Sequence, residues 1–192
     1  MPLDADPRWR MLKQGVACSC GRTHTGADDL LFHWPDTWPH GAKIEDNKAL
    51  TVERLDGDFL SADFCVMEGK FYSIRVALDL PLQGSESRLT FVPWSALPKN
   101  EFVSYFNAAN KGLAPGEGRA AGHLLNNVPG YDKTYGMSVV LEAPGRLYRP
   151  KMFLLDEAHK LTQDQRQGIT LDRMFELYAL FGHTMRFGAS LN

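Results

Sequence analysis

The chain has 192 residues, of which 44% are hydrophobic and 23% charged, and its formal net charge at pH 7 is −2. This composition is ordinary for one globular domain with a full hydrophobic core. The near-neutral charge provides no basic field for nucleic acid, so nucleic acid is not expected as a partner. No apolar run reaches the length of a membrane span, so no membrane association is expected either.

The N-terminal residues contain two prolines and no apolar segment of the kind that forms a secretory signal. Three cysteines, an odd number, argue against a disulfide framework. We therefore expect a cytoplasmic protein with reduced thiols. The expected organisation is an N-terminal tail over residues 1–15, one α+β domain over 16–184, and a C-terminal tail over 185–192.

A short run near the N-terminus holds two thiols and an imidazole, Cys18, Cys20 and His24. Gly21 gives the backbone the freedom to turn tightly around a metal. Zinc takes four cysteine, histidine or carboxylate ligands in a tetrahedron, and this run supplies three of them. The candidates for the fourth ligand are His33, His40, Cys65 and His159. The alternative interpretation is a turn with free thiols and a surface histidine.

The next segment, residues 25–58, is broken by prolines and carries two tryptophans beside two histidines. Such a stretch is typical of an ordered loop that wraps the surface of a core. The alternative is that its aromatic side chains line a ligand pocket.

From Leu60 onward the pattern changes to strands. Strict alternation of apolar and polar residues predicts one strand from Phe71 to Leu80. Shorter apolar runs predict strands from Ala62 to Met67 and from Arg88 to Trp94. Pro98 and the helical spacing of the aromatic residues after it predict a helix from about Pro98 to Asn110.

The glycine-rich segment Gly112 to Gly122 follows a helix and lacks the Gly-Lys-Ser/Thr ending of a phosphate loop. It is therefore predicted as a mobile surface loop, followed by a short helix from His123 to Asn127. Two further strands, Met137 to Glu142 and Leu147 to Leu155, flank a Pro-Gly turn and form a predicted hairpin.

The last predicted helix begins after Thr170, a good N-cap residue, and ends near Gly182. Its apolar stripe consists of Leu171, Met174, Phe175, Tyr178 and Phe181. Together the elements predict an α+β fold with a mainly antiparallel sheet of about five strands and helices packed on one face.

The polar stretch between the hairpin and this helix contains His159, Arg166 and Thr170. Two interpretations are open. In the structural one, Gly168 adopts a conformation that is costly for other residues, Thr170 caps the helix and Arg166 pairs with an acid or with carbonyl groups. In the functional one, Arg166 and His159 join the helix N-terminus in a small anion-binding site.

Several motifs occur in the order found in one bacterial family. They are Cys20-Gly21-Arg22-Thr23-His24, Ala62-Asp63-Phe64-Cys65-Val66, Leu80-Pro81-Leu82, Phe91-Val92-Pro93-Trp94, Asn127-Val128-Pro129-Gly130-Tyr131 and Gln165-Arg166-Gln167-Gly168-Ile169-Thr170. On these motifs the chain resembles the bacterial domain of unknown function 2199 family from about Cys18 to about Phe181. It departs at the N-terminal cysteines, where the spacing usual in the family would place the first one at Ala17. The resemblance implies no activity.

Two classes of function compete. An enzyme would use His24, Asp156, His159 and Arg166 as polar groups at a pocket mouth, with zinc as its cofactor, but no nucleophile elbow, Walker loop or Rossmann fingerprint is present. A small binding protein would sequester a protein partner or a small molecule through exposed aromatics, and toxin immunity is one version by analogy. The binding function is the one that we expect.

Overall fold

The computed structural model describes residues 3–41, 44–111, 118–143 and 149–187. Four α-helices lie in these ranges: α1 (Pro7–Gln14), α2 (Lys99–Asn110), α3 (Lys160–Gln167) and α4 (Leu171–Leu180). None of the helices in the described ranges combines the length and hydropathy that crossing a membrane requires.

Twelve short strands form three sheets within the described residues. They are β1 (Val16–Ala17), β2 (Thr23–His24), β3 (Leu30–Leu31), β4 (Phe59–Leu60), β5 (Phe64–Met67), β6 (Phe71–Arg75), β7 (Leu78–Pro81), β8 (Arg88–Val92), β9 (Trp94–Leu97), β10 (Gly118–Leu124), β11 (Ser138–Ala143) and β12 (Lys151–Leu154).

The main sheet has the strand order β12-β11-β10-β9-β6-β5-β4, and all its neighbours run antiparallel. A second sheet has the order β3-β8-β7, and β1 pairs with β2. The predicted α+β class is confirmed. The main sheet has seven strands rather than five, because β4 and β10 were not predicted.

The strand predicted from Phe71 to Leu80 is two strands, β6 in the main sheet and β7 in the second sheet. At the junction the Val76 N–H donates to the Pro93 carbonyl at 2.9 Å. The strand predicted from Arg88 to Trp94 ends as β8 at Val92, and β9 begins at Trp94, the last predicted residue. Pro93 lies at that break, and its missing N–H cannot extend a ladder.

The prediction of a glycine-rich surface loop is wrong for residues 118–122, which belong to β10. The rest of the predicted loop, residues 112–117, lies outside the described ranges. A short helix predicted from His123 is also wrong, because β10 continues to Leu124. The predicted hairpin pairing is confirmed by the antiparallel register of β11 and β12. Its Pro-Gly turn lies outside the described residues.

The two faces of the main sheet are covered differently. The large core lies on the face that packs against the helices, where the rings of Phe64 and Phe102 are 5.6 Å apart. On the other face Trp94 and Cys65 lie in a smaller cluster against Trp34 and Trp38. The proline-broken segment that carries these tryptophans therefore packs over the sheet, as the loop interpretation predicts.

Helix α1 belongs to the core although it falls in the segment predicted as an N-terminal tail. Asp6 caps it by accepting the Arg8 backbone N–H at 2.8 Å, and Pro7 occupies the first turn. Trp9 and Leu12 are buried in the main core. The predicted C-terminal tail likewise begins with packed residues, since Met185 and Phe187 contact the core. Residues 188–192 lie outside the described ranges.

Candidate metal centre

The N-terminal cysteines lie on a tight turn between β1 and β2. The Cys18 N–H donates to the Arg22 carbonyl at 2.9 Å, and the Gly21 N–H donates to the Cys18 carbonyl at 3.1 Å. Gly21 has a φ of 85°, a conformation that costs little only for glycine. The turn therefore holds Cys18 at its base and Cys20 near its tip, and it returns the chain so that His24 follows in β2.

The segment after α4 runs beside β1 and carries a fourth ligand to this turn. The Arg186 N–H donates to the Ala17 carbonyl at 2.8 Å, and the Ser19 N–H donates to the Thr184 carbonyl at 3.0 Å. Met185 forms a β-bridge with Cys18. These contacts hold His183 over the cysteine turn.

Cys18, Cys20, His24 and His183 offer ligand atoms that all lie within 4.8 Å of one another. Cys18 Sγ is 3.8 Å from His183 Nδ1, and Cys20 Sγ is 3.3 Å from His24 Nε2. Zinc–sulfur and zinc–nitrogen bonds of about 2.3 Å and 2.0 Å give tetrahedron edges of about 3.3–3.8 Å. The residues therefore fit a tetrahedral zinc ion with two sulfur and two nitrogen ligands.

His24 is oriented from behind by a carboxylate. Its Nδ1 contacts the Asp28 side chain, and this leaves Nε2 to face the cysteines. The Tyr178 hydroxyl in turn accepts the Asp28 N–H and donates to the Asp28 carbonyl. A carboxylate behind a histidine fixes the ring tautomer and is usual at zinc sites.

The surroundings of Cys18 also favour the thiolate form that a metal needs. Burial of the Cys18 sulfur opposes its ionisation, but hydrogen bonds from the backbone and side chain of Cys20, from His183 and from Ser19 lower its pKa to about 6. Cys65 differs, because burial in the main sheet raises its pKa to about 12.

The four residues predicted as candidates for the fourth ligand lie elsewhere. His40 contacts Asp58 at 2.5 Å, Cys65 is buried in the main sheet, and His159 begins α3. His33 lines the cleft beside the centre without joining the ligand group. The ligand that sequence analysis missed is His183, a histidine directly after Gly182 at the end of the predicted last helix.

The three residues of the predicted anion site lie at three different helix ends. His159 caps α3: its Nδ1 accepts the Leu161 N–H at 3.1 Å, and its Nε2 contacts the Asp132 carbonyl at 2.7 Å. Arg166, near the end of α3, pairs with Glu157 at 2.8 Å. Thr170 caps α4 by accepting the Arg173 N–H at 3.2 Å. Within the described ranges no hydrogen bond or ion pair joins the three to one another.

Neighbouring residues of that motif have structural contacts. The Gln165 side-chain amide accepts the Leu154 N–H at 3.0 Å and donates to the Met152 carbonyl at 2.6 Å, so it occupies the outer edge of β12. Gly168 has a φ of 78°, and a Cβ there would lie 2.8 Å from the Pro81 carbonyl oxygen. Glycine is therefore required at this position for both conformation and space.

Two cysteines and two histidines are a ligand set that structural zinc centres use, and on this α+β fold the four side chains lie together. The family described as an uncharacterized protein conserved in bacteria, DUF2199, matches residues 17–169. The chain belongs to this family. His183 lies beyond the matched residues. No curated protein and no solved structure matches the chain.

Proposed function

We propose that this protein is a small binding protein whose fold is held by a structural zinc ion at Cys18, Cys20, His24 and His183. The single observation that carries the proposal is the closed ligand set. Four candidate ligand atoms lie within 4.8 Å of one another, and four is the number of ligands that a structural zinc ion takes. A catalytic zinc instead has three protein ligands and an open position for water or substrate.

The position of the centre supports a role in holding the chain together. Cys18 and His183 are 165 positions apart, and the ion would join the turn after β1 to the segment after α4. The same segments form one wall of an open cleft of 790 Å3, which also contains Arg22, Asp29 and His33. Zinc would therefore maintain a concave surface on which a partner is bound.

Cobalt substitution tests the proposal, because Co²⁺ takes the same tetrahedral ligands and reports them in its visible spectrum. We expect about one ion per chain and a spectrum with two thiolate ligands that added cyanide or azide does not change. His183→Ala should open the site and make the spectrum sensitive to these anions. His33→Ala, in the same cleft, is the control and should leave the spectrum unchanged.

A wild-type spectrum that shifts with cyanide or azide would show an open coordination position. That result would contradict the structural role and favour the alternative of a zinc enzyme.

A further inference from the structure

Most strand edges of this fold are covered by another segment. Ala77 and the side-chain amide of Gln165 form hydrogen bonds with the backbone of β12. Residue 45 forms a backbone hydrogen bond with β4, and Ile169 forms one with β7. The segment that follows His183 forms one with β1. Covered edges prevent pairing with other chains.

The edge of β3 differs. In the second sheet β3 pairs only with β8, in parallel register. The Phe32 N–H donates to the Val92 carbonyl at 3.3 Å. Because alternate residues of a strand direct their backbone groups to the same neighbour, Leu31 directs its N–H and C=O away from β8. In the part of the chain that the structure describes, no segment pairs with this side of Leu31.

This free edge opens into the cleft beside the metal centre. Leu30, Leu31 and Thr23 all line the cleft, as do the metal ligands His24 and His183. The Leu31 side chain is 46% exposed there. The cleft thus combines unpaired backbone groups with an exposed apolar side chain.

The edge is also held rigidly. Buried Arg75 donates to the carbonyls of Phe32 and His33, at 3.0 Å each, and its guanidinium lies over the Trp94 ring. The Trp94 indole N–H donates to the Phe32 carbonyl as well, at 3.1 Å. These contacts fix the chain directly after Leu31, so little ordering is needed when a partner pairs with β3.

We propose that the cleft binds an extended peptide segment of a partner protein, which adds a strand to β3 by pairing with Leu31. Backbone N–H and C=O groups at a free edge recognise another main chain, and the pockets beside it select side chains. Leu31 and Phe181 provide apolar contact in the cleft. Arg22, which is exposed and has no ion-pair partner in the described residues, fits an acidic group of the peptide. This inference rests on the proposed binding function and specifies its partner.

The test is selection from a display library of random peptides on the zinc-loaded wild-type protein. Recovered peptides are synthesised with a fluorescent label and titrated by polarisation. Leu31→Pro removes the edge N–H, and proline is tolerated on an edge strand whose N–H faces solvent. We expect Leu31→Pro to raise the dissociation constant of the peptide roughly tenfold, because the variant loses one main-chain hydrogen bond and the proline ring keeps the peptide backbone at a greater distance.

The matched control is Phe71→Ser, which changes an exposed apolar side chain on the main sheet. It should leave the dissociation constant unchanged. Amide hydrogen exchange on the wild-type protein gives a measurement that needs no variant to fold. The Leu31 amide should exchange rapidly in the free protein and become protected when the peptide is bound.

The inference is overturned if no peptide is enriched, if the peptides bind Leu31→Pro as tightly as the wild type, or if Phe71→Ser abolishes binding. A Leu31 amide that is already protected in the free protein also overturns it. These failures are distinct from failure of the proposed function: a protein with a closed metal centre that selects no peptide would refute only the peptide site.

Discussion

The side-chain amide of Gln165 lies at the edge of the main sheet and forms the hydrogen bonds that a further strand would form there. Its oxygen and nitrogen bond to backbone groups of Leu154 and Met152, two buried residues of β12. An apolar residue of similar size would leave both backbone groups without a partner. We therefore attribute the presence of glutamine here to closure of the sheet.

Gln165→Leu should lower the free energy of unfolding by roughly 2–3 kcal/mol, because it leaves an N–H and a carbonyl buried and unsatisfied. Gln167→Leu is the matched control, since Gln167 is exposed on the same helix. Its effect should stay within about 0.5 kcal/mol. Urea denaturation of the two variants measures both values, and equal effects would show that the amide does not close the edge.

Replacement of Arg166 by alanine tests the predicted anion site. The Arg166–Glu157 pair is exposed, so Arg166→Ala should change the free energy of unfolding by less than about 1 kcal/mol. Melting is measured with and without inorganic phosphate, because a ligand of the folded state raises the melting temperature. A phosphate-dependent rise in the wild-type protein that Arg166→Ala abolishes would establish the anion site; without one, Arg166 has no such role.

Cys65 should make the protein sensitive to alkaline pH. Burial raises its folded pKa to about 12 from the ordinary value of 9.0. Because the folded pKa is the higher one, this contribution to stability is fully present below about pH 9 and is lost as the pH rises toward 12. Cys65→Ala should therefore lose stability with pH less steeply over this window, by up to about 1.4 kcal/mol per pH unit.

Denaturant titrations at several pH values measure the slope for both proteins. Tyr131 and Tyr178 also have pKa values raised by burial, and they contribute equally to both. Parallel slopes would contradict the assignment of the difference to Cys65.

At the scale of elements, α4 shows how far periodicity predicts packing. Its N-cap and most of its predicted stripe agree with the structure, since Leu171, Met174 and Tyr178 are buried. Phe175 is only partly buried, with its ring 5.1 Å from that of Phe187, and Leu177 is buried although it was outside the predicted stripe. The buried face is therefore rotated toward Leu177.

Met174→Ala should cost roughly 2–5 kcal/mol of unfolding free energy, because Met174 is fully buried and its removal leaves a cavity. Phe175→Ala should cost less than the 3–5 kcal/mol typical of a buried phenylalanine, since its ring already contacts solvent. Chemical denaturation of the pair decides the order. If Phe175→Ala is the more damaging change, the predicted stripe describes the packing better.

Helices and strands whose own residues show a strong apolar period were predicted from the sequence. Strands whose formation depends on pairing with an adjacent strand were not. Strand β10 is rich in glycine and alanine, so it has no apolar alternation. Gly122 is there because a Cβ would lie 2.6 Å from the Ala96 carbonyl oxygen on the adjacent strand. Only the pairing of β10 with β9 creates this requirement, and sequence spacing does not contain it.

The candidate metal site follows the same rule. Cys18, Cys20 and His24 were predicted because a short turn brings them together whatever the rest of the chain does. His183 was missed because its position depends on the path of the chain after α4 and on hydrogen bonds to residues 17 and 19. The family motifs provided no help with it, since His183 lies outside the matched residues.

For the whole molecule, zinc removal should destabilise the fold. A ligand present at about 1,000 times its dissociation constant adds about 4 kcal/mol, which corresponds to roughly 8–16 °C in melting temperature for a domain of this size. A chelator should therefore lower the melting temperature by about that amount, and added Zn²⁺ should restore it. His183→Ala should have a melting temperature near that of the wild-type protein with chelator, and the chelator should not lower it further. The melting temperature of His33→Ala should fall with chelator as that of the wild type does. A wild-type protein that melts identically with and without chelator would refute a stabilising zinc.

The separation of Cys18 and His183 by 165 positions also has a consequence for biosynthesis. Ribosomes add about 5–20 residues per second, so roughly 8–33 s pass between synthesis of the first ligand and of the last. During this interval the nascent chain has at most three of the four ligands. The proposed centre could be completed only after His183 has been synthesised, and in metal-poor cells chains without zinc would remain unlinked at this point and be exposed to proteases.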